Sequence, residues 1–159
     1  RDGTAAFGTK TTASGPYSLA QGENTLAFST GCHAEGNTTT ASGNYSHAEG
    51  NNTLSSDIYS HSEGGYTTAV GGYSHAEGYH TLADGSSCHT EGSDTVASTA
   101  ADNSHAEGRG TTVTGMGCHA EGYETLASGY YSHAAGEGTI ASSNCQQVFG
   151  KYNISDLDL

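Results

Sequence analysis

Apolar and polar residues alternate along this chain in short bursts, and no window of it carries the 3.6-residue spacing of an amphipathic helix. The burst SHAEG stands at 46–50, 74–78 and 104–108, and the variants CHAEG (32–36 and 118–122), SHSEG (60–64), CHTEG (88–92) and SHAAG (132–136) fill the intervals. Their closing glycines, from Gly36 to Gly136, advance by 14 residues at every step except the 16 between Gly92 and Gly108. The same register reaches back to Gly22 and Gly8 and forward to Gly150, which makes eleven repeats. Three residues beyond the glycine comes Thr, as at Thr53 and Thr67; four beyond comes an apolar residue or Thr, as at Leu54 and Thr68. Five beyond comes Ala or another small residue, as at Ser55 and Ala69, and then a turn that often carries Gly and Tyr, as at Gly43 and Tyr45.

Two five-residue segments of alternating type in each repeat, each closed by a glycine-containing turn, predict two short strands per coil of an all-β solenoid with 14-residue coils. Coils stacked at the strand spacing of about 4.8 Å would build residues 1–150 into a rod roughly 50 Å long. The two extra residues near 99–103 are expected in a surface loop, because the register resumes beyond them. Side chains alternate faces along a strand, so Ser46 and Ala48 point one way and His47 and Glu49 the other. So small a coil has room inside for small side chains alone. The Ser/Cys, Ala, Thr and Ala columns therefore belong inside, and the His, Glu and Leu/Thr columns outside. Inward hydroxyls need partners, and the expected ones are turn backbone groups or the hydroxyl of the next coil.

Composition changes this picture in one respect. Leu, Ile, Val and Phe number seventeen in 159 residues, a content that by itself reads as disordered chain. The repeat overrides that reading and leaves a thin core of small residues. With a net charge of -13 and only Arg1, Lys10, Arg109 and Lys151 as strong bases, a grip on nucleic acid phosphates is excluded as a partner class. No apolar run approaches the roughly 18 residues of a membrane span, so no membrane insertion is expected. Arg1 opens partway through a repeat, as in a fragment, and residues 151–159, where the repeat lapses, read as a C-terminal cap or the start of a following domain.

SHAEG followed by a TxA segment resembles the SVAIG and SxAxG repeat of the YadA-like head domain of trimeric autotransporter adhesins, over about residues 3–155. AAFG at 5–8 and QVFG at 147–150 are nearer still to that family's VAIG. The resemblance implies a left-handed parallel β-roll and assembly of the chain with itself as a homotrimer. The SHAEG version is similar to repeat regions of phage tail-fibre and prophage structural proteins, in which GKYNI, here at 150–154, leads into a self-cleaving chaperone domain; no cleavage activity is expected of these 159 residues. Where the adhesin repeat has Val and Ile, this one has His and Glu, so the interchain seam that the resemblance implies would be polar. Its residues are His33, His47, His61, His75, His89, His105, His119 and His133 beside Glu35, Glu49, Glu63, Glu77, Glu91, Glu107 and Glu121, and the near-equal counts favour mutual pairing. Phe7 and Phe149, in the Glu column at either end, read as apolar plugs.

Eight stacked imidazoles invite a metal reading. About 4.8 Å apart, two of them cannot share an ion within one chain without bending inward, and the adjacent Glu is an ordinary hydrogen-bond partner; no metal site and no cofactor is assigned. Repetition leaves no residue set apart for catalysis, so the chain is not expected to be an enzyme. Stacked carboxylates should titrate as a coupled set, and protonating them at low pH is expected to loosen assembly. Cys32, Cys88 and Cys118 fall in an inward column, too far apart for a disulfide, while Cys145 on a turn is the one candidate reactive thiol. His80, outside the column, reads as a solvated loop residue.

Tyr17, Tyr45, Tyr59, Tyr73, Tyr130 and Tyr131 recur at a turn, and of these Tyr45, Tyr59, Tyr73 and Tyr131 are candidate ligand contacts, stacking on sugars or covering the edge of a neighbouring chain. The functional expectation is a structural and adhesive rod, extracellular, in a phage tail fibre on the virion or on a bacterial cell surface, offering repeated contacts to a cell-surface glycan or protein. The alternatives are an ice-binding solenoid that uses the Thr column and an ion-binding solenoid.

Overall fold

A computed structural model describes residues 3–153. Eleven five-residue strands, from Ala5–Thr9 to Gln147–Lys151, alternate along the chain with ten two-residue strands, from Thr12–Ala13 to Ile140–Ala141, and no helix occurs among the described residues. Each set forms its own sheet, eleven-stranded and ten-stranded, in which strands follow one another in sequence order. The pairing is parallel throughout, and His47 lies on His61, Glu49 on Glu63 and Gly50 on Gly64. Every residue thus rests on its own counterpart one coil away, which is the β-solenoid that the period predicts.

The second strand of each coil is shorter than expected, two residues instead of five, as at Leu54–Ser55. Two left-handed corners bound it: Asn52 at φ 60° before it and Tyr59 at φ 55° after it. Between them only Leu54 and Ser56 donate to the next coil, to the carbonyls of Thr67 and Ala69. The long strand closes on a glycine for a steric reason. Gly50 has φ 110°, and a Cβ there would lie 2.1 Å from the Gly64 carbonyl oxygen, so no L side chain fits this column.

Ser46, Ala48, Thr53 and Ser55 are all buried, while His47, Glu49 and Leu54 remain partly exposed, as alternation and side-chain size predict. The Ser/Cys column finds turn acceptors three residues back: Ser46 Oγ donates to the Gly43 carbonyl at 2.8 Å and Cys88 Sγ to that of Gly85 at 2.8 Å. The Thr column departs from expectation. The hydroxyls of Thr25, Thr39, Thr53, Thr67, Thr81, Thr95, Thr111, Thr125 and Thr139 are buried with no hydrogen-bond partner, because the turn acceptors belong to the Ser column. Burial of so many hydroxyls is offset by a continuous backbone ladder.

The insertion is only in part a surface loop. Thr99 and Ala100 are exposed, but Ala101 turns inward and is fully buried, and the register recovers at once, with His89 on His105 and Gly92 on Gly108. The last strand includes Lys151, and the cap or following domain expected beyond it falls for residues 154–159 outside the described residues.

Candidate functional site

Parallel register makes a ladder of each outward column. The eight column imidazoles stack face to face with centroids 4.6 Å apart at the closest pair, His61 and His75, and 5.0 Å at the widest, His105 and His119. Beside them run the Glu side chains. His47 Nε2 lies 3.6 Å from Glu35 Oε1 of the preceding coil and 3.7 Å from Glu49 Oε2 of its own. His89 Nε2 stands likewise 3.7 Å from Glu77 and 4.0 Å from Glu91. The shortest approaches are 3.4 Å, from His119 to Glu107 and from His133 to Glu121.

These distances exceed an N–H···O hydrogen bond, and Nε2 of every column histidine is shielded from solvent without a partner. The His and Glu columns are therefore adjacent as expected, and among the described residues no His–Glu contact of the stripe within the chain reaches full hydrogen-bond geometry. The cause is geometric: where a carboxylate faces an imidazole of its own coil and another of the next, as Glu35 does, it sits between the two.

Charge along the stripe follows from the same stacking. Burial, then the neighbouring imidazole, pushes His33 and His47 below the ordinary histidine range, and His75 and His105 behave alike, which keeps them neutral near neutral pH. The carboxylates alternate. Glu35 is held low by the Gln21 amide that donates to it, and Glu63 and Glu91 by hydrogen bonds from Glu77 and Glu107. Glu49 is raised by burial and by its Glu neighbours, Glu107 by its hydrogen bond with Glu91, and Glu77 is pushed up to about 7 by those with Glu63 and Glu91. Raised and lowered carboxyls thus alternate from Glu35 to Glu107, as stacked like charges that titrate as a set should. An open trough lined by Glu49, Glu63, Glu77 and Glu91 follows the glycines Gly64, Gly78, Gly92 and Gly108.

At the ends, Phe7 lies over Gln21 in register and Phe149 meets His133 edge-on at 5.0 Å; both rings are 63% exposed in the single chain. Tyr45, Tyr59 and Tyr73 form a second ladder at 5.3 Å spacing. They occupy left-handed corners, as does Tyr131, and each ring folds back on the corner before it: the Tyr45 ring would meet a Cβ on Gly31 at 2.7 Å, and the Tyr131 ring one on Gly117 at 2.7 Å. All four keep about half their surface exposed. Three of the cysteines are buried and Cys145 is exposed, as read from the columns, and all four are free thiols.

One cluster escaped the sequence reading. His80 is exposed, as expected of a loop, but its Nδ1 lies 2.9 Å from Asp94 Oδ1, beside Tyr66 and Tyr79 and over Thr68, Leu82 and Val96. The 14-residue offset from His80 to Asp94 was the available signal. The ice-binding alternative loses its surface, since the Thr column is buried.

Among known families, the one described as the YadA head domain repeat matches residues 2–28, 34–54 and 120–142. Residues 55–119 between the matches continue the same strand register without a break. No curated protein matches the chain. The matched coils are similar to the YadA head repeat, and the coils between them share their register.

Proposed function

We propose that this chain is a non-enzymatic rod module of a homotrimeric, extracellular adhesive fibre, on a bacterial surface or a phage tail, that presents repeated side chains to a cell-surface glycan or protein. The observation that carries this reading is the in-register eleven-stranded sheet, which sets equivalent positions, in most coils the same side chain, one above another along a rod about 50 Å long. Repetition of that kind multiplies weak contacts by raising their effective concentration. The head-repeat match supports self-association, and the partly exposed His/Glu face is a surface that second and third copies can cover, with Phe7 and Phe149 closing its ends. Tyr45, Tyr59 and Tyr73 offer stacked, half-exposed rings on which the apolar faces of sugars pack.

Light scattering of the native chain tests the assembly: a mass of three chains is expected, and a stable single chain would overturn the trimeric rod. Binding to a glycan array and to intact bacterial cells tests attachment. Loss of binding in Y45A/Y59A/Y73A at unchanged mass places contact on the Tyr ladder, whereas no binding to any surface removes the adhesive role.

A further inference from the structure

The Glu column is a row of carboxyl groups without a fixed counter-charge. Among the described residues no Lys or Arg pairs with any column carboxylate, and the one lysine ion pair, Lys151 with Glu137, lies outside the column. What stands beside the carboxylates is a row of imidazole Nε2 atoms, each screened from water and each without a hydrogen-bond partner. A donor nitrogen and an acceptor oxygen left unjoined at this proximity point to a third body between them.

Distance decides what that body is. A proton shared between nitrogen and oxygen draws them to about 2.7–3.2 Å. Two ligands each about 2.0–2.2 Å from a tetrahedral Zn²⁺ ion stand roughly 3.3–3.6 Å apart. The stripe runs from 3.4 Å at His119 with Glu107, through 3.6 and 3.7 Å at His47 with Glu35 and Glu49, to 4.0 Å at His33 with Glu35, a range that begins inside the window of a shared ion and lies wholly beyond that of a shared proton. At five places three ligand atoms lie within 4.8 Å of one another: four sets are two histidines and a glutamate, and one, Glu107, His119 and Glu121, is a histidine with two glutamates.

The objection that stacked imidazoles are too far apart to share an ion does not apply at His47, His89 and His119, where a single imidazole has a carboxylate of its own coil and one of the preceding coil beside it, so that an ion there needs no second imidazole. One neutral imidazole with a carboxylate on each side also balances the charge of a divalent ion. We propose that the His/Glu stripe binds a row of divalent transition-metal ions of the Zn²⁺ class, each held by an imidazole Nε2 and its flanking carboxylates. Mg²⁺ and Ca²⁺, which take oxygen ligands, are disfavoured by the imidazole in every set. The inference rests on neither the adhesive role nor the trimer.

Equilibrium dialysis of the full chain against micromolar Zn²⁺ at pH 7.5 tests it, with C145S and H80N substitutions in the background to remove the exposed thiol and the separate His80 pair. More than one Zn²⁺ per chain is expected, with no comparable uptake of Mg²⁺, and H47Q/H89Q/H119Q should lose most of it while keeping its β circular dichroism. X-ray absorption of the zinc-loaded parent, which needs no folded variant, should show imidazole and carboxylate scattering. Uptake no greater than that of Mg²⁺, an all-oxygen shell, or undiminished zinc in a folded triple variant would each overturn the proposal.

Discussion

Thr67→Val tests how the interior is held together. The Thr67 side chain is fully buried and its hydroxyl has no partner. Taking a hydroxyl out of water without a hydrogen bond costs roughly 1–3 kcal/mol. Val keeps the β-branched outline and replaces the hydroxyl by a methyl group, which gains that energy back. Against it stands the slightly larger methyl, and overpacking a tight core costs about 1 kcal/mol or more. Val113, fully buried where neighbouring coils carry Ala97 and Ala127, shows that the coil accommodates a larger change than this one. The net expectation is a stabilisation of about 1 kcal/mol, or roughly 2–4 °C in Tm for a chain of this size. Thermal and urea melts followed by circular dichroism check it at one protein concentration, since self-association makes the midpoint depend on concentration. Ser74→Ala is the opposing control: it removes a 2.6 Å hydrogen bond to the Gly71 carbonyl and should cost about 1 kcal/mol. A loss of 1 kcal/mol or more from Thr67→Val would refute the reasoning, because the threonine hydroxyls would then have to be bonded and holding the coils.

Gly64→Ala should destabilise by about 3 kcal/mol or more, since φ is +106° and the new Cβ would lie 2.1 Å from the Gly78 carbonyl oxygen; an unchanged melt would mean the ladder yields at that step. With a chelator present, stability should fall on both sides of neutrality: His33, His47, His75 and His105 are lowered, so what they contribute is lost as pH drops below the ordinary histidine range. Glu77, raised to about 7, binds its proton more tightly in the fold, so stability falls as pH climbs from the ordinary carboxylate range through 7; Glu63 and Glu91 are lowered, and what they contribute is lost as pH drops below that range. Acid loosening is thus one limb of two, Glu77→Gln should flatten the alkaline limb, and an alkaline limb unchanged in that variant would count against the raised Glu77. A thiol-reactive disulfide reagent should titrate one cysteine in the native chain, Cys145, and all four after denaturation, because Cys32, Cys88 and Cys118 are buried and burial pushes the Cys88 thiol up to about 11.

The backbone was legible because a parallel in-register solenoid puts each residue on its own copy, so a constant step in sequence is a constant step in space. Alternation and side-chain volume then sorted Ser46, Ala48 and Thr53 inward and His47 and Glu49 outward without further information. What escaped was set by conformations that residue type signals poorly. Tyr45, Asn52 and Tyr59 hold left-handed corners that in other coils belong to Gly31 or Gly110, and those corners, not a strand pattern, limit Leu54–Ser55 to two residues.

The stripe escaped for a different reason. Whether His47 and Glu49 form a hydrogen bond turns on less than an ångström, and that margin is fixed by the coil spacing, which places Glu35 almost as near to His47 as Glu49 is. A repeat therefore hides its own chemistry. Identical columns have no singular residue to draw attention, and the individual information lies where the copies fail: at Phe7 and Phe149, at the buried Ala101 of the long step, and at His80 and Asp94, whose neighbours in the stack carry other side chains. A function that belongs to the ladder as a whole must then be sought in properties that scale with the number of coils, such as the charge of a carboxylate row and the ions or protons that balance it.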